Sequence, residues 1–470
     1  MDTKITIPKD KKIHFIGIGG CSMSGLAQIL AANGYAVTGS DMKESAFTRQ
    51  LDQKGIPVTF GHDEKNVHGA GLVVYTAAIK PYNPEYAYAA AHEIPMLERS
   101  KLLGLISSQY QRVACISGCH GKTTITSMLA LIMQHSEEDC TVHVGGMVDF
   151  LSGGVKVGTN DAFITEACEY VRSFLTLHPT HVLVNNIDDD HLDCYRDIND
   201  IFDTFVEFIQ KLGQNGILLL NQSDTLAYRL KDYAPCRIVT YNDGPASDWY
   251  LDSPEFNELG CGSGTVVCRG EKLGTLELTV PGLHNLRNAL AATAFAREVF
   301  GVDVDISIRA LKDYRLAGRR FELIGERDGV RVFHDYAHHP SEIAACLEAA
   351  SLVPHHKLWV VFQCNSYTRA RTLKDKYAQC FGNADEVLMP DIYPGRDTDT
   401  QGIHARDVVA AINSNSCSCM YIPTFQGIKD YLLKNWKPGD IVMTLEMCIR
   451  DSLCPSVPAF RCQAAAGHLR

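Results

Sequence analysis

A glycine-rich segment between a predicted strand and a predicted helix constrains this chain more than any other feature. Residues 113–116 form an apolar run typical of a buried strand, and residues 125–133 have the apolar spacing of a helix. The segment that opens the helix contains Gly118, Cys119, His120, Gly121, Lys122, Thr123 and Thr124. Because glycines let backbone N–H groups approach phosphate oxygens at a helix N-terminus, this arrangement indicates a phosphate-binding loop.

Two side chains of this loop supply the chemistry that such a site needs. Lys122 provides a mobile cation for phosphate oxygens, and the hydroxyl of Thr123 can reach a magnesium ion. The spacing departs from the general G-x-x-x-x-G-K-[ST] pattern because only two residues separate Gly118 from Gly121. At this point an ordinary glycine turn with a surface lysine stays open as the alternative.

Length and charge limit the classes of function. A chain of 470 residues predicts about three domains. A formal net charge of -11 argues against non-specific binding to nucleic acid or to an anionic membrane. The N-terminus lacks the apolar stretch of a signal peptide, and no apolar run approaches the roughly 18 residues of a membrane span. We therefore expect a cytoplasmic protein.

The 17 cysteines mostly stand singly within apolar patterns, where cysteine is usually a small buried apolar residue. Only Cys417 and Cys419 lie close together, and no second pair stands at zinc-ligand spacing. A metal site built from thiolates therefore has weak support, and free thiols fit a reducing compartment.

A second glycine turn lies near the N-terminus. Residues 13–16 predict a strand, and residues 17–25 follow a loosened dinucleotide-binding pattern that opens a helix. Asp41 stands about twenty residues later, where an acid would hold a ribose hydroxyl. Residues 73–79 predict another strand ending in small residues whose amides would meet a ligand. A nicotinamide dehydrogenase, a nucleotide-sugar binder and a purely structural turn all stay open on these residues.

Acidic residues stand at the ends of two later predicted strands. One apolar run ends on Glu166, and another leads into Asp188, Asp189, Asp190 and His191. Because parallel strands align their carboxyl ends, we expect Thr123, Glu166 and His191 to converge beside the phosphates. Magnesium prefers the oxygens, and the histidine suits a second, softer metal position. For residues 188–190 an ordinary solvated loop stays open.

The last part of the chain predicts a helix with two spaced asparagines and then a third α/β unit. Asn285 and Asn288 lie on one helical face, where they could read an adenine edge or hold a phosphate, with an N-cap role as the alternative for one of them. A small-residue turn at 317–322 predicts the last domain boundary, and strand–loop–helix alternation follows it. Adjacent His338 and His339 should point apart, which favours substrate contact over a shared metal.

Taken together, these motifs resemble the Mur ligases. The residues that carry the resemblance occur in order at 17–25, 118–124, 166, 188–193, 282–288, 318–322, 335–340 and 363–369. The resemblance covers about residues 11–444 and implies an α/β fold of three domains. These are a Rossmann-like UDP-sugar-binding domain at 1–110, a P-loop-type ATPase domain at 111–317, and a Rossmann-like amino-acid-binding domain at 318–470 that closes over ATP. The resemblance therefore argues against the interpretation of residues 17–25 as a dehydrogenase site.

Within that family the resemblance is to the branch that adds L-alanine to UDP-N-acetylmuramate. It implies an ATP- and Mg²⁺-dependent ligation through an acyl phosphate in bacterial peptidoglycan synthesis, with UDP-N-acetylmuramate, L-alanine and ATP as partners. We expect no nucleic-acid or membrane partner, and a monomer or homodimer. A sister ligase that recycles murein peptides and an inactive nucleotide-binding scaffold are the alternatives.

The resemblance also implies a role for individual residues. It assigns UDP-sugar binding to Gly19, Gly20, Ser22, Met23, Ser24, Asp41, Thr76 and Ala77. It assigns ATP binding to Gly118, Cys119, His120, Gly121, Lys122, Thr123, Thr124, Asn285, Arg320 and Asp335, and metal binding to Thr123, Glu166 and His191. It assigns binding of the amino-acid substrate to Tyr336, His338, His339 and Arg369, and catalysis to Lys122, His191 and Arg369.

The sequence departs from the family pattern in three places. Cys168 and the following residues replace an acidic run, so only Glu166 and Glu169 carry over there. Cys364 and Asn365 replace a commoner Pro-His pair. Residues 445–470 are atypical and lack the expected glycine turn and closing helix, so we expect the last domain to be short of its final helix.

Overall fold

A computed structural model describes residues 7–445, except for residues 152, 192–193, 243, 317–319, 396 and 398. The described strands form three sheets. Contacts divide the chain into two units, of which the first comprises Met1–Glu255, Ser263–Thr279 and Asn285–Gly318 and the second comprises Phe256–Gly262, Val280–His284 and Arg319–Arg470. The α/β class is confirmed, and the atypical tail lies outside the described residues from 446 onward.

The first sheet is open and parallel. Its strands are β1 Lys12–Ile16, β2 Val37–Asp41, β3 Val58–Phe60, β4 Ala70–Tyr75 and β5 Met96–Glu98, and the helices of this part are α1 Cys21–Ala32, α2 Ala46–Gln53, α3 Pro84–Ala91 and α4 Arg99–Ser107. The strand order β3-β2-β1-β4-β5 is Rossmann-like. Strands β2 and β3 lie on one side of β1, and β4 and β5 lie on the other. The strand order therefore reverses between β1 and β4, and ligands of such sheets bind beside this switch point.

Both faces of this sheet are covered, which explains the nearly continuous apolar runs in its strands. Ile13 and Phe15 of β1 belong to one apolar core, whereas Ile16 packs with Val73 in another.

One predicted strand boundary in this sheet is wrong. The prediction placed residues 73–79 in a strand, but β4 ends at Tyr75. The N–H of Ile79 donates to the carbonyl oxygen of Thr76 at 3.0 Å, and the N–H of Ala78 donates to the Thr76 hydroxyl at 3.1 Å. These local bonds turn the backbone away from the sheet.

The second sheet carries the glycine-rich loop. Its strands are β6 Arg112–Ser117, β7 Thr141–Val148, β8 Gly153–Lys156, β9 Ala162–Ala167, β10 His181–Val184, β11 Ile217–Asn221, β12 Arg237–Asn242, β13 Trp249–Phe256, β14 Cys261–Cys268 and β15 Glu271–Pro281. The helices are α5 Lys122–His135, α6 Ile198–Ile209, α7 Thr225–Arg229, α8 Leu283–Phe300 and α9 Val304–Lys312. The strand order is β15-β14-β13-β12-β11-β10-β6-β9-β7-β8.

The position of β6 explains where the loop lies. β6 pairs in parallel with β9 on one side and with β10 on the other, so it stands at a switch point of the sheet. The loop after β6 is therefore flanked by the residues that follow β9 and β10.

The third sheet belongs to the second unit. Its strands are β16 Glu322–Arg327, β17 Val330–Asp335, β18 Leu358–Phe362, β19 Glu386–Met389, β20 Ser418–Tyr421 and β21 Ile441–Leu445, and its helices are α10 Pro340–Ser351, α11 Tyr367–Thr372, α12 Lys374–Tyr377, α13 Ala405–Asn415 and α14 Phe425–Asn435. The order is β16-β17-β21-β18-β19-β20, with β16 and β17 antiparallel and the other pairs parallel. The predicted strand–loop–helix at the start of this unit is confirmed by β17 and α10. Among the described residues, none of the helices has both the length and the apolarity needed to cross a membrane.

Candidate functional site

The backbone of the loop between β6 and α5 requires glycine at two positions. Gly118 has φ +127° and Gly121 has φ +83°, and residues other than glycine rarely adopt backbone angles in this region. Space is also restricted, because a Cβ on Gly118 would lie 2.9 Å from the backbone nitrogen of Asn186, and one on Gly121 would lie 2.7 Å from Nδ2 of Asn185. The strand–loop–helix prediction is confirmed, with α5 beginning at Lys122.

Two asparagines that follow β10 hold this loop. The carbonyl oxygen of His120 accepts hydrogen bonds from Nδ2 of Asn185 at 3.0 Å and from Nδ2 of Asn186 at 3.1 Å. The N–H of His120 donates to Oδ1 of Asn186 at 2.7 Å. Asn288 of α8 also lies beside the loop, because its Oδ1 would be 3.1 Å from a Cβ on Gly121. Asn285 is buried on the same helix.

Sequence reasoning missed the roles of Asn185 and Asn186. Their place directly after a strand that neighbours β6 was a usable signal. The hydroxyl of buried Tyr241 donates to Oδ1 of Asn185 at 2.6 Å, and the sequence carried no signal for this contact because Tyr241 stands in β12. His120 also faces Asp188, with Nε2 3.0 Å from Oδ2.

The ammonium group of Lys122 is held inside the loop. Its Nζ donates to the carbonyl oxygens of Gly118 at 2.5 Å and Cys119 at 3.0 Å, and to both carboxylate oxygens of Glu169 at 2.8 and 3.1 Å. The Glu169 side chain is 1% exposed and that of Lys122 is 12% exposed. A buried ion pair therefore places a positive charge at the N-terminus of α5.

Each charge of this pair favours the ionised form of the other. Burial opposes ionisation of Glu169, but the charge of Lys122 and contacts from His191 outweigh it, so the pKa of Glu169 lies below its ordinary value. Burial would also lower the pKa of Lys122, but the charge of Glu169 outweighs burial and raises it. Burial raises the pKa of the Cys119 thiol well above its ordinary value, so this loop residue is not a thiolate.

Thr123 and Glu166 form a pair of oxygen donors on neighbouring elements. The Thr123 hydroxyl donates to Oε2 of Glu166 at 3.2 Å, and the N–H of Gly145 donates to Oε1 at 2.7 Å. A Cβ on Gly145 would lie 2.8 Å from Oε2 of Glu166, so glycine keeps the space beside the carboxylate open. A hydroxyl and a carboxylate suit Mg²⁺, and these residues therefore fit the predicted metal.

His191 is placed by a different carboxylate from the one that contacts Thr123. Its Nε2 lies 3.5 Å from Oε1 of Glu169 and 3.7 Å from Oδ2 of Asp190. Thr123 thus pairs with Glu166, whereas His191 belongs to the Lys122–Glu169 pair. A metal role for His191 stays a prediction.

The N-terminal glycine turn is built around Asp41. Its Oδ2 accepts the N–H of Gly19 at 2.8 Å, and its Oδ1 accepts the N–H of Met42 at 2.7 Å. Gly17 has φ +81°, and a Cβ there would lie 3.2 Å from Cγ2 of Thr76. The turns after β1, β2 and β4 therefore lie at one edge of the sheet, as predicted.

The remaining predicted UDP-sugar residues differ in exposure. Gly20 is the N-cap of α1, and Ala77 is exposed. Met23 is buried in the apolar core. Ser24 is buried, its hydroxyl donating to the carbonyl oxygen of Cys21 at 2.8 Å and its N–H to that of Gly20 at 2.8 Å. The hydroxyl and the N–H of Ser24 thus both donate to backbone carbonyl oxygens at the start of α1, and its ligand role stays a prediction.

In the second unit, Asp335 organises the turn after β17. Its Oδ2 accepts the N–H of Phe321 and its Oδ1 that of Ala337, both at 2.7 Å. Nη1 of Arg320 lies 3.9 Å from Oδ1 of Asp335 and 3.7 Å from Oε1 of Glu342. Burial raises the pKa of Asp335 above its ordinary value, although Arg320 and the two amide groups act in the opposite direction.

The predicted amino-acid residues lie along the same turn and on α11. The guanidinium carbon of Arg320 is 5.4 Å from the ring centroid of Tyr336. Nδ1 of His338 lies 2.9 Å from the Tyr336 carbonyl oxygen and 3.4 Å from Oε2 of Glu342, a residue that sequence reasoning missed.

His339 is fully buried and caps α10, its Nδ1 accepting the N–H of Ser341 at 3.4 Å. Helix capping, which sequence reasoning did not consider, therefore accounts for its position. On α11, Nη1 of Arg369 donates to Oδ1 of Asn365 at 3.2 Å.

Three family models match consecutive parts of the chain. Residues 12–111 match the Mur ligase family catalytic domain, residues 116–296 the Mur ligase middle domain, and residues 319–445 the Mur ligase glutamate ligase domain. The chain belongs to the Mur ligase family.

Sequence relatives of this Mur ligase support the same family membership. It is 43% identical over 438 residues to UDP-N-acetylmuramate–L-alanine ligase of Acetivibrio thermocellus, covering 93% of each chain. It is 42% identical over 445 residues to the ligase of the same name from Lachnospira eligens, covering 94% of this chain and 96% of the relative.

Solved structures agree with the fold. UDP-N-acetylmuramate–alanine ligase MurC of Thermotoga maritima superimposes with a TM-score of 0.76 at 26% identity, covering 94% of this Mur ligase and 97% of that chain. MurF ligase of the same organism, solved in complex with ADP, gives a TM-score of 0.61 at 15% identity, covering 89% of this chain and 94% of that one. The second likeness concerns the fold alone.

Proposed function

We propose that this Mur ligase joins L-alanine to the lactyl carboxylate of UDP-N-acetylmuramate, converting ATP to ADP and phosphate, in peptidoglycan precursor synthesis. The observation that carries the proposal is the 43% identity over 93% of the chain to a ligase whose name states these two substrates. The placement of Lys122 at the start of α5 supports it, because nucleotide phosphates bind where a positive charge stands at a helix N-terminus.

The first chemical step needs positioning more than it needs covalent chemistry. An oxygen of the lactyl carboxylate attacks the γ-phosphorus of ATP, the bond to the ADP oxygen breaks, and an acyl phosphate forms. We assign the ATP phosphates to the backbone of the loop and to Lys122, whose charge offsets the charge that develops on the transferred group. Asn185, Asn186 and Tyr241 act before the reaction by holding the loop in its binding shape.

We assign Mg²⁺ to Thr123 and Glu166, which offer a hydroxyl and a carboxylate oxygen 3.2 Å apart. When bound there, the ion supplies electrostatic stabilisation of phosphate oxygens. The N–H of Gly145 orients the carboxylate by binding Oε1, which leaves Oε2 facing Thr123.

The second step forms the amide bond. The amine of L-alanine attacks the acyl carbon, a tetrahedral intermediate forms, and phosphate leaves as the amine nitrogen loses its proton. We assign the α-carboxylate of alanine to Arg369, because a guanidinium can bind a carboxylate through two parallel hydrogen bonds. Tyr336 and His338 are assigned to the wall that limits the amino-acid side chain. The turn around Asp41 is assigned to UDP-N-acetylmuramate.

The substrates also bear on where the reaction takes place. ATP and free L-alanine are cytoplasmic metabolites, so we place the reaction in the bacterial cytoplasm. Separately, a monomer or a homodimer stays our prediction for the quaternary state.

The choice of amine tests the proposal. We expect L-alanine to be ligated in preference to glycine and L-serine, with discrimination limited to roughly 1–3 kcal/mol because only a methyl or a hydroxyl group differs. A tripeptide should be excluded far more strongly, since its carboxylate lies too far from its amine to reach Arg369. Competition assays with UDP-N-acetylmuramate, ATP and each amine measure this order. A tripeptide used as well as alanine would transfer this chain to the recycling ligases, and ATP binding without any ligation would favour the inactive scaffold.

A further inference from the structure

A buried histidine of the central sheet joins the N-terminal glycine turn to the strand that carries Glu166. His143 lies in β7 and is 3% exposed. Its Nε2 lies 3.1 Å from Oγ of Ser22, in the first turn of α1. Its Nδ1 lies 3.2 Å from Oγ1 of Thr165, its register partner in β9. None of the catalytic roles assigned above uses His143.

The hydrogen bonds around the ring run in one direction. Nη1 of Arg99, which only donates, is 3.2 Å from Oγ of Ser22, so the Ser22 hydroxyl proton is free to point at Nε2 of His143. On the other side, the Thr165 hydroxyl donates to the carbonyl oxygen of Glu166 at 3.2 Å. We assign the ring proton to Nδ1, the tautomer in which Oγ1 of Thr165 accepts from His143 while the Thr165 hydroxyl keeps its bond to Glu166.

The surroundings keep this ring neutral. Burial, together with the charge of Arg99, lowers the pKa of His143 to about 4. A neutral imidazole has one donor and one acceptor, which is what a chain of bonds in one direction requires. With the proton on Nδ1, the neutral ring completes a chain from Arg99 through Ser22, His143 and Thr165 to the Glu166 backbone.

Close packing fixes the same contact. A Cβ on Gly25 of α1 would lie 3.0 Å from Cδ2 of His143, a tighter contact than most Cβ atoms make, so glycine lets this helix lie close against the ring. Cys21, also in the first turn of α1, has Sγ 3.9 Å from the carbonyl oxygen of Val144. Burial, together with the negative charge of Glu166, raises the pKa of Cys21 to about 12.

We propose that His143 is a positioning residue that fixes the glycine turn of the UDP-sugar site against the strand carrying the metal carboxylate. This inference rests on the proposed function, since it concerns alignment of the lactyl carboxylate with the γ-phosphate. His143 touches neither reacting group in the roles assigned above. It acts through Ser22 on one side and through Thr165 and Glu166 on the other, and misalignment of this kind slows the reaction of bound substrates.

Two substitutions separate the two sides of the ring. His143→Gln keeps a polar group near the Nε2 position and so retains the bond to Ser22. His143→Asn keeps one near Nδ1 and so retains only the bond to Thr165. His143→Phe removes both bonds. The matched control is His181→Phe. His181 is also a β-strand histidine, half-buried at the start of β10, and it accepts one backbone N–H, at 3.2 Å from Ile217.

The assay measures kcat per ATP-binding site, counted by nucleotide titration, together with the Kd for UDP-N-acetylmuramate and the melting temperature. A net hydrogen bond is worth about 0.5–1.5 kcal/mol, so we expect His143→Asn, which loses one bond, to lower kcat by roughly 2- to 12-fold, and His143→Phe, which loses both, to lower it further. The Kd for the UDP sugar should stay within about twofold. His143→Gln should recover most of kcat, and His181→Phe should lower the melting temperature without lowering kcat.

Equal kcat in the Gln and Asn variants, or kcat values as in the His181 control, would overturn the proposal. A ¹⁵N NMR measurement of the ring, assigned by loss of its signal in His143→Gln, gives a readout independent of turnover. A proton on Nδ1 is expected, and a proton on Nε2 would refute the chain of bonds. Wild-type protein that binds ATP but forms no product would instead refute the proposed function, while the ring proton still decides the contact.

Discussion

Lys122→Met tests the buried ion pair at the centre of the site. Methionine keeps the apolar length of the side chain but removes the ammonium group, which lies 2.8 and 3.1 Å from the two carboxylate oxygens of Glu169. Because Glu169 is 1% exposed, its charge is left buried without the ammonium group that neutralises it. Breaking a buried pair by removing one partner destabilises a protein by about 3–5 kcal/mol, and we expect a loss of that size at pH 8.

The pH dependence of this loss has a definite sign. In the wild-type protein the folded pKa of Glu169 is below its unfolded value, so its stabilisation is present above the unfolded pKa of about 4.3 and is lost as the pH falls through the folded value. In Lys122→Met, burial dominates and the folded pKa rises above the unfolded one. Stability is then greatest below the unfolded pKa and is lost as the pH rises. The difference between the two proteins should therefore shrink from pH 8 to pH 5.

Urea unfolding at several pH values measures this difference. Of the three tryptophans, Trp249 is buried in the first unit, and replacing Trp359 and Trp436 of the second unit by phenylalanine leaves it as the fluorescence reporter. Adding Glu169→Gln to Lys122→Met removes the buried charge, so stability at pH 8 should largely return. Ligation should stay reduced on the order of 100- to 1,000-fold in both variants, because the fixed positive charge is still missing. A double variant as unstable as the single one, or a loss independent of pH, would refute this reasoning.

Two further predictions concern other parts of the same site. Activity should require Mg²⁺, and Glu166→Gln should reduce kcat more than His191→Ala does, because an oxygen-bound magnesium beside Thr123 depends on the carboxylate. Steady-state assays across a Mg²⁺ titration measure both losses. Equal or reversed losses would show that the metal residues are misassigned. Tyr241→Phe removes the hydroxyl that binds Asn185 and should raise the KM for ATP by about 2- to 12-fold, as the loss of one net hydrogen bond implies, and an unchanged KM would contradict a role for Tyr241 in holding the loop.

The features predicted correctly from the sequence are those set by short-range chemistry. The strand–loop–helix around Gly118 and Gly121 was predictable because residues other than glycine rarely adopt the backbone angles of these two positions. Asp41 and Glu166 were found because each stands at the end of an apolar strand, and parallel strands place such residues at one edge of a sheet. The wrong end of the strand at residues 73–79 has a local cause, because the hydrogen bonds of the Thr76 turn compete with the β pattern.

The partners of these residues were decided by the order of the strands. Glu166 near the end of β9 and Glu169 just after it stand three residues apart, yet Glu166 faces Thr123 and Glu169 pairs with Lys122 and His191. Asn185 contacts the loop because β10 pairs with β6, and Tyr241 reaches Asn185 from β12, two strands beyond β10.

The sequence by itself thus determined which residue types stand at the sheet edges, and with them the kind of chemistry that the chain can perform. Only the tertiary structure decided which of these groups meet, as the contact of His143 with Ser22 shows across 121 positions of sequence. The physical reason is that backbone angles and apolar periodicity depend on neighbours along the chain, whereas hydrogen bonds and buried charge pairs depend on distances in space. Strand order and register fix those distances, and no local pattern encodes either one.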